Sequence, residues 1–450
     1  MDSTISKASQ LITHLAALPY PGRGHINALM NFCKLLFLKN PNILISFIVS
    51  EEWLSFLAAD PKPPKLHFST FPNIIPSELG RANDYPGFFR SVNTIMESPI
   101  HTLLTHLNPP PSIIVADPFL SWAVPLANRL NIPVASFWPM SVTVLSCYYH
   151  FNLLEENGHF PANLSERGEE IVDYIPGVSH TRLADFPTFF SGDGHEIRDL
   201  TFEAARSIDK AQFLISTSVY ELEPSVVDVF KLKCPFPDYT IGPCTPYFET
   251  PNGCTDEYLQ WLDSQTDCSV LYISHGSFLS VSSAQMDEIV AGVEASGVRF
   301  LWVARGNDSR LKGVDREMGM VVRWCDQLKV LCHSAVGGFW THCGWNSTME
   351  GVFAGVPMLT WPIFLDQVPN RKKIVEDWKV GVRVNAVGGN DLVRREEIAK
   401  LVKRFMNSES VEGRKMRNRV SELKDICRRA VVEGGSSHSN MDAFIGRITI

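Results

Sequence analysis

Ten cysteines are scattered through this 450-residue chain with no Cys-x-x-Cys pair and no Cys/His spacing of the zinc-site kind. Neither a disulfide framework nor a structural metal site is therefore expected, and the thiols read as reduced. An Asp-x-Asp triplet is also missing, so nothing in the sequence calls for a divalent cation, and no cofactor is expected. Positive charge is short, with 41 Lys and Arg against 49 Asp and Glu and a formal net charge of −8. Such a balance argues against a nucleic-acid partner, and a phosphate-bearing ligand would have to be held by helix ends and backbone amides. Long apolar runs are lacking too. The stretch from Leu11 to Leu18 is too short to cross a bilayer, follows no basic segment and leads into a Gly/Pro turn, so it reads as a buried strand. A cytoplasmic protein without stable membrane insertion is expected, and the Asn-x-Ser/Thr triplets at Asn163, Asn307 and Asn346 then carry no glycosylation signal. Short-period repeats and low-complexity tracts are absent.

Short apolar runs alternate with longer periodic segments through most of the chain: Leu11 to Leu18, Ile43 to Ser50, Leu66 to Phe71, Ser112 to Asp117 and Val134 to Trp138. That alternation predicts parallel sheets with helical crossovers. Ile26, Leu29, Met30, Cys33 and Phe37 follow the spacing of a helix packed on a sheet, so the chain opens with a βα unit. After the strand-like Gln212 to Thr217, a stretch rich in Pro, Gly and Thr from Tyr239 to Glu257 reads as an interdomain linker. Alternation restarts at Ser269 to Ser274. The expected fold is thus α/β with two doubly wound lobes, whose ligands belong in the loops after the strands.

The first such loop is Pro19 to His25, with Gly22 and Gly24 forming a tight turn and His25 at the helix start. A histidine there is a candidate general base, since it titrates near neutral pH. By itself the residue reads more readily as a histidine that caps or packs at a helix N-terminus. A dinucleotide loop, with Glu51 on a ribose, is disfavoured because Asn27 stands where the third glycine belongs. A histidine base needs a carboxylate to fix its tautomer, and Asp117, at the end of the strand Ser112 to Asp117, is the candidate. The same residue could instead cap a helix starting near Ser121.

In the second lobe, Ser347 and Glu350 stand in the S-x-x-E spacing of a capping box. The alternative is that this helix N-terminus, with His342, Asn346 and Ser347 beside it, holds a diphosphate. The 44 residues from Trp324 to Gln367 (WCDQLKVLCHSAVGGFWTHCGWNSTMEGVFAGVPMLTWPIFLDQ) resemble the signature box of plant family-1 UDP-dependent glycosyltransferases, from the opening Trp and HCGWNS run to the closing Asp-Gln. The Pro-x-x-Gly-His loop, LYISHGS and the GGSS tail extend the resemblance over essentially the whole chain, although 152–209 carries no recognisable motif.

The resemblance implies a fold of the GT-B type, with two Rossmann-like domains facing across a cleft. Residues 1–246 would form the acceptor domain, 247–257 the linker, 258–430 the UDP-sugar domain, and 431–450 a helix returning to the first domain. It implies Trp324 stacking on uracil, the Cys325 backbone pairing with the base edge, and Gln327 and Glu350 on the ribose. His342, Asn346, Ser347 and Ser277 would hold the diphosphate, while Trp345, Asp366 and Gln367 would contact the sugar, with the closing Gln favouring glucose. The family's usual Phe is replaced by His275, which could add charge near the phosphates or merely fill space. The implied chemistry is an inverting, metal-independent transfer of glucose from UDP-glucose to a hydroxyl of a small apolar plant metabolite (phenolic, flavonoid, terpenoid or hormone-like), with His25 and Asp117 catalytic and the protein a monomer. A UDP-sugar hydrolase or epimerase on the same fold, and a non-catalytic nucleotide-sugar-binding protein, are the alternatives.

Overall fold

The computed structural model describes residues 12–58, 61–188, 195–234, 236–245, 256–276, 281–304, 311, 317–384 and 392–449. Five strands open the chain: β1 (His14–Leu18), β2 (Leu44–Ser50), β3 (Leu66–Phe71), β4 (Ile113–Ala116) and β5 (Val134–Trp138). A small hairpin of β6 (Ile171–Val172) and β7 (Thr181–Arg182) precedes β8 (Phe213–Ser216) and β9 (Asp238–Thr240). The second lobe contributes β10 (Val270–Ser274), β11 (Arg299–Val303), β12 (Gly319–Val322), β13 (Val336–Thr341), β14 (Met358–Thr360) and β15 (Gly381–Arg383).

The first lobe is a parallel sheet in the order β3-β2-β1-β4-β5-β8-β9, and the second a parallel sheet in the order β12-β11-β10-β13-β14-β15. Both orders reverse direction between two adjacent strands, β1 and β4 in one lobe and β10 and β13 in the other. At such a switch point the chains leaving the two strands diverge to opposite faces, which opens a crevice at the strand C-termini. Four loops therefore matter most, those after β1, β4, β10 and β13.

Burial on both faces explains why the strands read as continuous apolar runs: β1, β4, β5, β10 and β13 are buried at every position. The first helix, Arg23–Lys39, buries Ile26, Leu29, Met30 and Cys33 against the sheet. The stretch read as linker holds more structure than its composition suggests, since Tyr239 and Thr240 belong to edge strand β9 and Glu257 opens the helix Glu257–Asp263. The middle of that stretch, 246–255, lies outside the described residues.

The last helix, Ser436–Ile448, lies against the first lobe. Phe444 packs edge-on to Phe213 and Tyr239 and tilted against Phe32, Asn440 donates to the Thr240 carbonyl, and Lys39 pairs with Asp442. Among the described residues no helix is long and apolar enough to cross a membrane, and no cluster of three His, Cys, Asp or Glu could hold a metal ion.

Candidate active site

The switch point of the first lobe sets His25 and Asp117 side by side. Asp117 continues the β4 ladder, its N–H donating to the Leu18 carbonyl, so its carboxylate emerges beside the loop that follows β1. One oxygen accepts from the Phe119 N–H at 3.0 Å and fixes the turn; the other meets His25 Nδ1 at 2.6 Å. The helix-cap reading of Asp117 does not hold, because the next helix starts at Ala123 with Trp122 as its N-cap and no side-chain cap, so the Phe119 contact fixes only a turn. Asp117 is buried, whereas 23% of the His25 side chain faces solvent. A carboxylate on Nδ1 selects the tautomer whose Nε2 is bare, and a bare Nε2 is what a general base requires. The ring packs against Tyr20 and edge-on to Phe119, so apolar surface surrounds the base.

The two glycines of this loop differ. A side chain at Gly22 would strike the Arg81 guanidinium, but Gly24 faces open space, so only the first is required by packing. Glu51 is exposed in the first turn of the helix Glu51–Leu57, where no ribose role is needed to account for it.

On the facing lobe, Trp324 is 60% exposed, which removes the alternative of a core aromatic. Behind it Cys325 is buried with its thiol 3.4 Å from the Tyr272 hydroxyl. Gln327 ties the site together: Oε1 accepts from Tyr272, while Nε2 donates to Ser347 Oγ at 2.8 Å and to Glu350 Oε2 at 2.6 Å. Burial pushes the Glu350 carboxyl up to about 7, with the Asp326 charge adding to the shift and Gln327 opposing it.

The capping box anticipated at Ser347 and Glu350 does not form. The helix Trp345–Ala354 begins earlier, with Gly344 in extended conformation as its N-cap, and no side chain caps it. Apart from the Trp345 N–H, which reaches the Asp366 carboxylate, its first N–H groups are accordingly left for an anion to satisfy. His342 stands next to this end, seated between two glycines: a Cβ on Gly276 or Gly344 would lie 2.7 Å or 2.5 Å from its Nε2. Gly276 also has φ of 80°, the left-handed conformation that favours glycine. Ser277, the remaining candidate for the diphosphate, lies outside the described residues.

Asn346 reaches across the cleft, donating from Nδ2 to the Gly24 carbonyl at 2.7 Å, and so ties the helix start to the His25 loop. Trp345 turns the other way. Its indole is only 3% exposed and packs on Trp378, so it offers the cleft no ring; its backbone N–H instead reaches the Asp366 carboxylate. Asp366 also accepts from Asn370, and burial raises its carboxyl to about 6, against the pull of His25 across the cleft. Gln367 uses Oε1 to accept from the Ile363 and Phe364 N–H groups, which leaves its NH2 end as the donor available to a ligand. His275 sits edge-on to Trp302 and Trp340 and is pushed down to about 4 by burial and by His342, so it fills space as a neutral ring. Asn370 is a structural member of the site that no sequence signal marked, and Tyr272 is another, to which the LYISHGS resemblance assigns no role.

Two doubly wound lobes, with a His-Asp pair on one and an uncapped helix end, a half-buried carboxylate and an exposed Trp on the other, define a nucleotide-sugar glycosyltransferase. The family model for "UDP-glucoronosyl and UDP-glucosyl transferase" matches residues 239–423. UDP-glycosyltransferase 87A2 of Arabidopsis thaliana is 51% identical over 100% of this chain and 99% of its own, and the 7-deoxyloganetin glucosyltransferase of Catharanthus roseus 31% identical over 96% of each. Among solved structures, Medicago truncatula UGT71G1 with UDP-glucose has 30% identity and a TM-score of 0.80, covering 97% of this chain and 98% of its own. Phytolacca americana UGT2 with UDP-2fluoro-glucose and pterostilbene has 26% identity and a TM-score of 0.82, covering 97% and 100%. The chain belongs to the plant family-1 UDP-glycosyltransferases and has their GT-B fold.

Proposed function

We propose that the protein transfers glucose from UDP-glucose to a hydroxyl of a small, largely apolar acceptor, with inversion at the anomeric carbon and without a metal ion. The observation that carries the reading is the His25–Asp117 contact at 2.6 Å, on the same cleft as the Trp324 to Gln367 box. His25 Nε2 takes the acceptor proton as the acceptor oxygen attacks C1 of the sugar. The bond from C1 to the diphosphate oxygen breaks on the opposite face, and Asp117 balances the imidazolium. The leaving diphosphate is met by the N–H groups that follow Trp345 in the first turn of the helix Trp345–Ala354, by Ser347 and by His342, with Ser277 and Asn346 as further candidates. Uracil stacks on Trp324 and pairs with the Cys325 backbone, the ribose meets Glu350 and Gln327, and the sugar meets Asp366 and the Gln367 amide. Glucose as donor is supported by the relatives bound to UDP-glucose or named glucosyltransferase, and an apolar acceptor by the pterostilbene in the Phytolacca protein and by the aromatic wall of Tyr20 and Phe119. In the same reading 1–246 is the acceptor domain, 247–257 the linker, 258–430 the donor domain and 431–450 the returning helix of a cytoplasmic monomer.

The test is turnover of UDP-glucose with chelator present, against a panel of plant phenolics and terpenols, with UDP release and glycoside mass followed together in wild type and His25→Ala. Glycoside that forms without metal and disappears in the variant supports the proposal. UDP release that needs no acceptor would make the protein a hydrolase instead.

A further inference from the structure

We propose that Thr188 and Asp185, on the acceptor lobe, are positioning residues for the donor sugar. They hold the loop and helix that carry Asp366 and Gln367, and so set where the sugar lies relative to His25. The proposal rests on the assignment of Asp366 and Gln367 to the sugar made above.

The anchors converge on a short stretch of the second lobe. Leu365, immediately before Asp366, has φ of 54°, a left-handed conformation that a branched side chain rarely adopts. Its N–H donates at 2.8 Å to Thr188 Oγ1, so the strained turn is held from the other lobe. Phe364 packs edge-on to Tyr85 of that lobe as well.

One turn beyond Gln367, Arg371 donates to Asp185 at 2.7 Å. Asp185 is 1% exposed and also meets Arg182 of its own lobe at 2.8 Å and Arg383 of β15 at 3.3 Å. A buried carboxylate is tolerable only while its partners stay in place, so this cluster permits one seating of the helix and penalises others. Lys373 adds a third point, 2.9 Å from Thr143 Oγ1 and 3.2 Å from the buried Glu223. There the helix loosens to π geometry over Lys373–Asp377, an irregularity common at functional sites.

Adhesion between lobes alone could use any part of the interface. Here the contacts bracket the two sugar residues within one turn on either side, and Asp366 is near enough to His25 to feel its charge. A displacement of that turn moves the anomeric carbon off the line from the base, and about 1 Å of misplacement can cost on the order of a hundredfold in rate.

The test compares Thr188→Val, which keeps the shape and removes the acceptor oxygen, with Thr188→Ser, which restores it. Asp185→Asn and Gln367→Ala are measured alongside, with Kd for UDP and for UDP-glucose by calorimetry and kcat with a fixed acceptor. Thr188→Val is expected to lower kcat and the preference for UDP-glucose over UDP by about tenfold, with UDP affinity unchanged and Thr188→Ser close to wild type. Asp185→Asn should move the same way if it folds. Wild-type kinetics in Thr188→Val, or an equal loss of UDP and UDP-glucose affinity, overturns the proposal. Gln367→Ala then says how far the failure reaches: if it loses the preference for UDP-glucose, only the positioning role falls, and if it does not, the sugar assignment falls too.

Discussion

Glu350 should make donor binding depend on pH in a window where few carboxylates titrate. Its carboxyl is pushed up to about 7 from an ordinary value of 4.5, chiefly by burial. With the ribose on Glu350 as proposed, its hydroxyls would donate to the ionised carboxylate, so binding of UDP-glucose would draw Glu350 into its charged form and expel a proton whenever the free protein holds one. The apparent Kd then rises by the factor 1 + 10^(7 − pH), about 11 at pH 6 and about 1.1 at pH 8 for a group titrating near 7. Calorimetry of UDP-glucose binding between pH 6 and 8 is the assay, because a diphosphate esterified at both ends has no ionisation of its own in that range, unlike UDP. Glu350→Gln keeps an oxygen acceptor for Gln327 and cannot titrate, so its affinity should be weaker at pH 8 and flat across the window. Asp366, raised to about 6, contributes only at the acid end, and Asp366→Asn should retain the slope near pH 7. A flat wild-type curve, or a Glu350→Gln curve as steep as wild type, would refute this account of the site.

The same shift fixes the sign of a stability effect. A carboxyl whose value is raised on folding binds its proton more tightly in the fold than in the unfolded chain. The fold is therefore relatively favoured below pH 4.5, and the advantage is lost as pH rises towards 7. At pH 8 the uncompensated charge costs on the order of 3 kcal/mol at most. In thermal melts, Glu350→Gln should therefore gain stability relative to wild type at pH 8 and not at pH 4.

Trp324→Ala should leave thermal stability within about 0.5 kcal/mol of wild type because the ring is exposed. The same variant should weaken UDP binding by about 1–3 kcal/mol, the range for a base stacked on an aromatic ring; a melting point several degrees lower would make Trp324 a packing residue instead. Asp117→Asn can keep the turn to Phe119 but not the charge on Nδ1, so kcat should fall by about 10²–10⁴ with UDP-glucose affinity unchanged.

Much of the fold is legible in the sequence because parallel strands buried on both faces must be apolar throughout, and Gly, Pro and Asp mark their ends. Strands β3 and β5 coincide with the runs Leu66 to Phe71 and Val134 to Trp138. Strand β9 escapes because three residues among prolines and glycines make no pattern, and β6 and β7 escape because two residues each cannot show a period. Trp324 and Trp345 mark the limit of reading by residue type. Trp324 lies exposed where the chain leaves β12, whereas Trp345 opens a helix packed on the sheet and is buried. Ser347 and Glu350 show the same limit, since their spacing suits a cap but Gly344 starts the helix first, which frees both side chains for Gln327.

Contacts between the lobes are illegible for a different reason. Asn346 and Gly24 are 322 positions apart, Thr188 and Leu365 are 177 apart, and each contact asks only for an oxygen or an amide at the right place. Such a demand constrains position far more than residue type, so it leaves no local pattern of charge, glycine or apolar spacing. The segment 152–209, which carries no motif, is also the one that supplies Thr188, Asp185 and Ser179 to the second lobe. A nucleotide needs a fixed set of donors and acceptors and so writes a motif into the lobe that binds it. The register between the lobes, on which the angle of attack depends, can be met by many sequences and must be read from the folded chain.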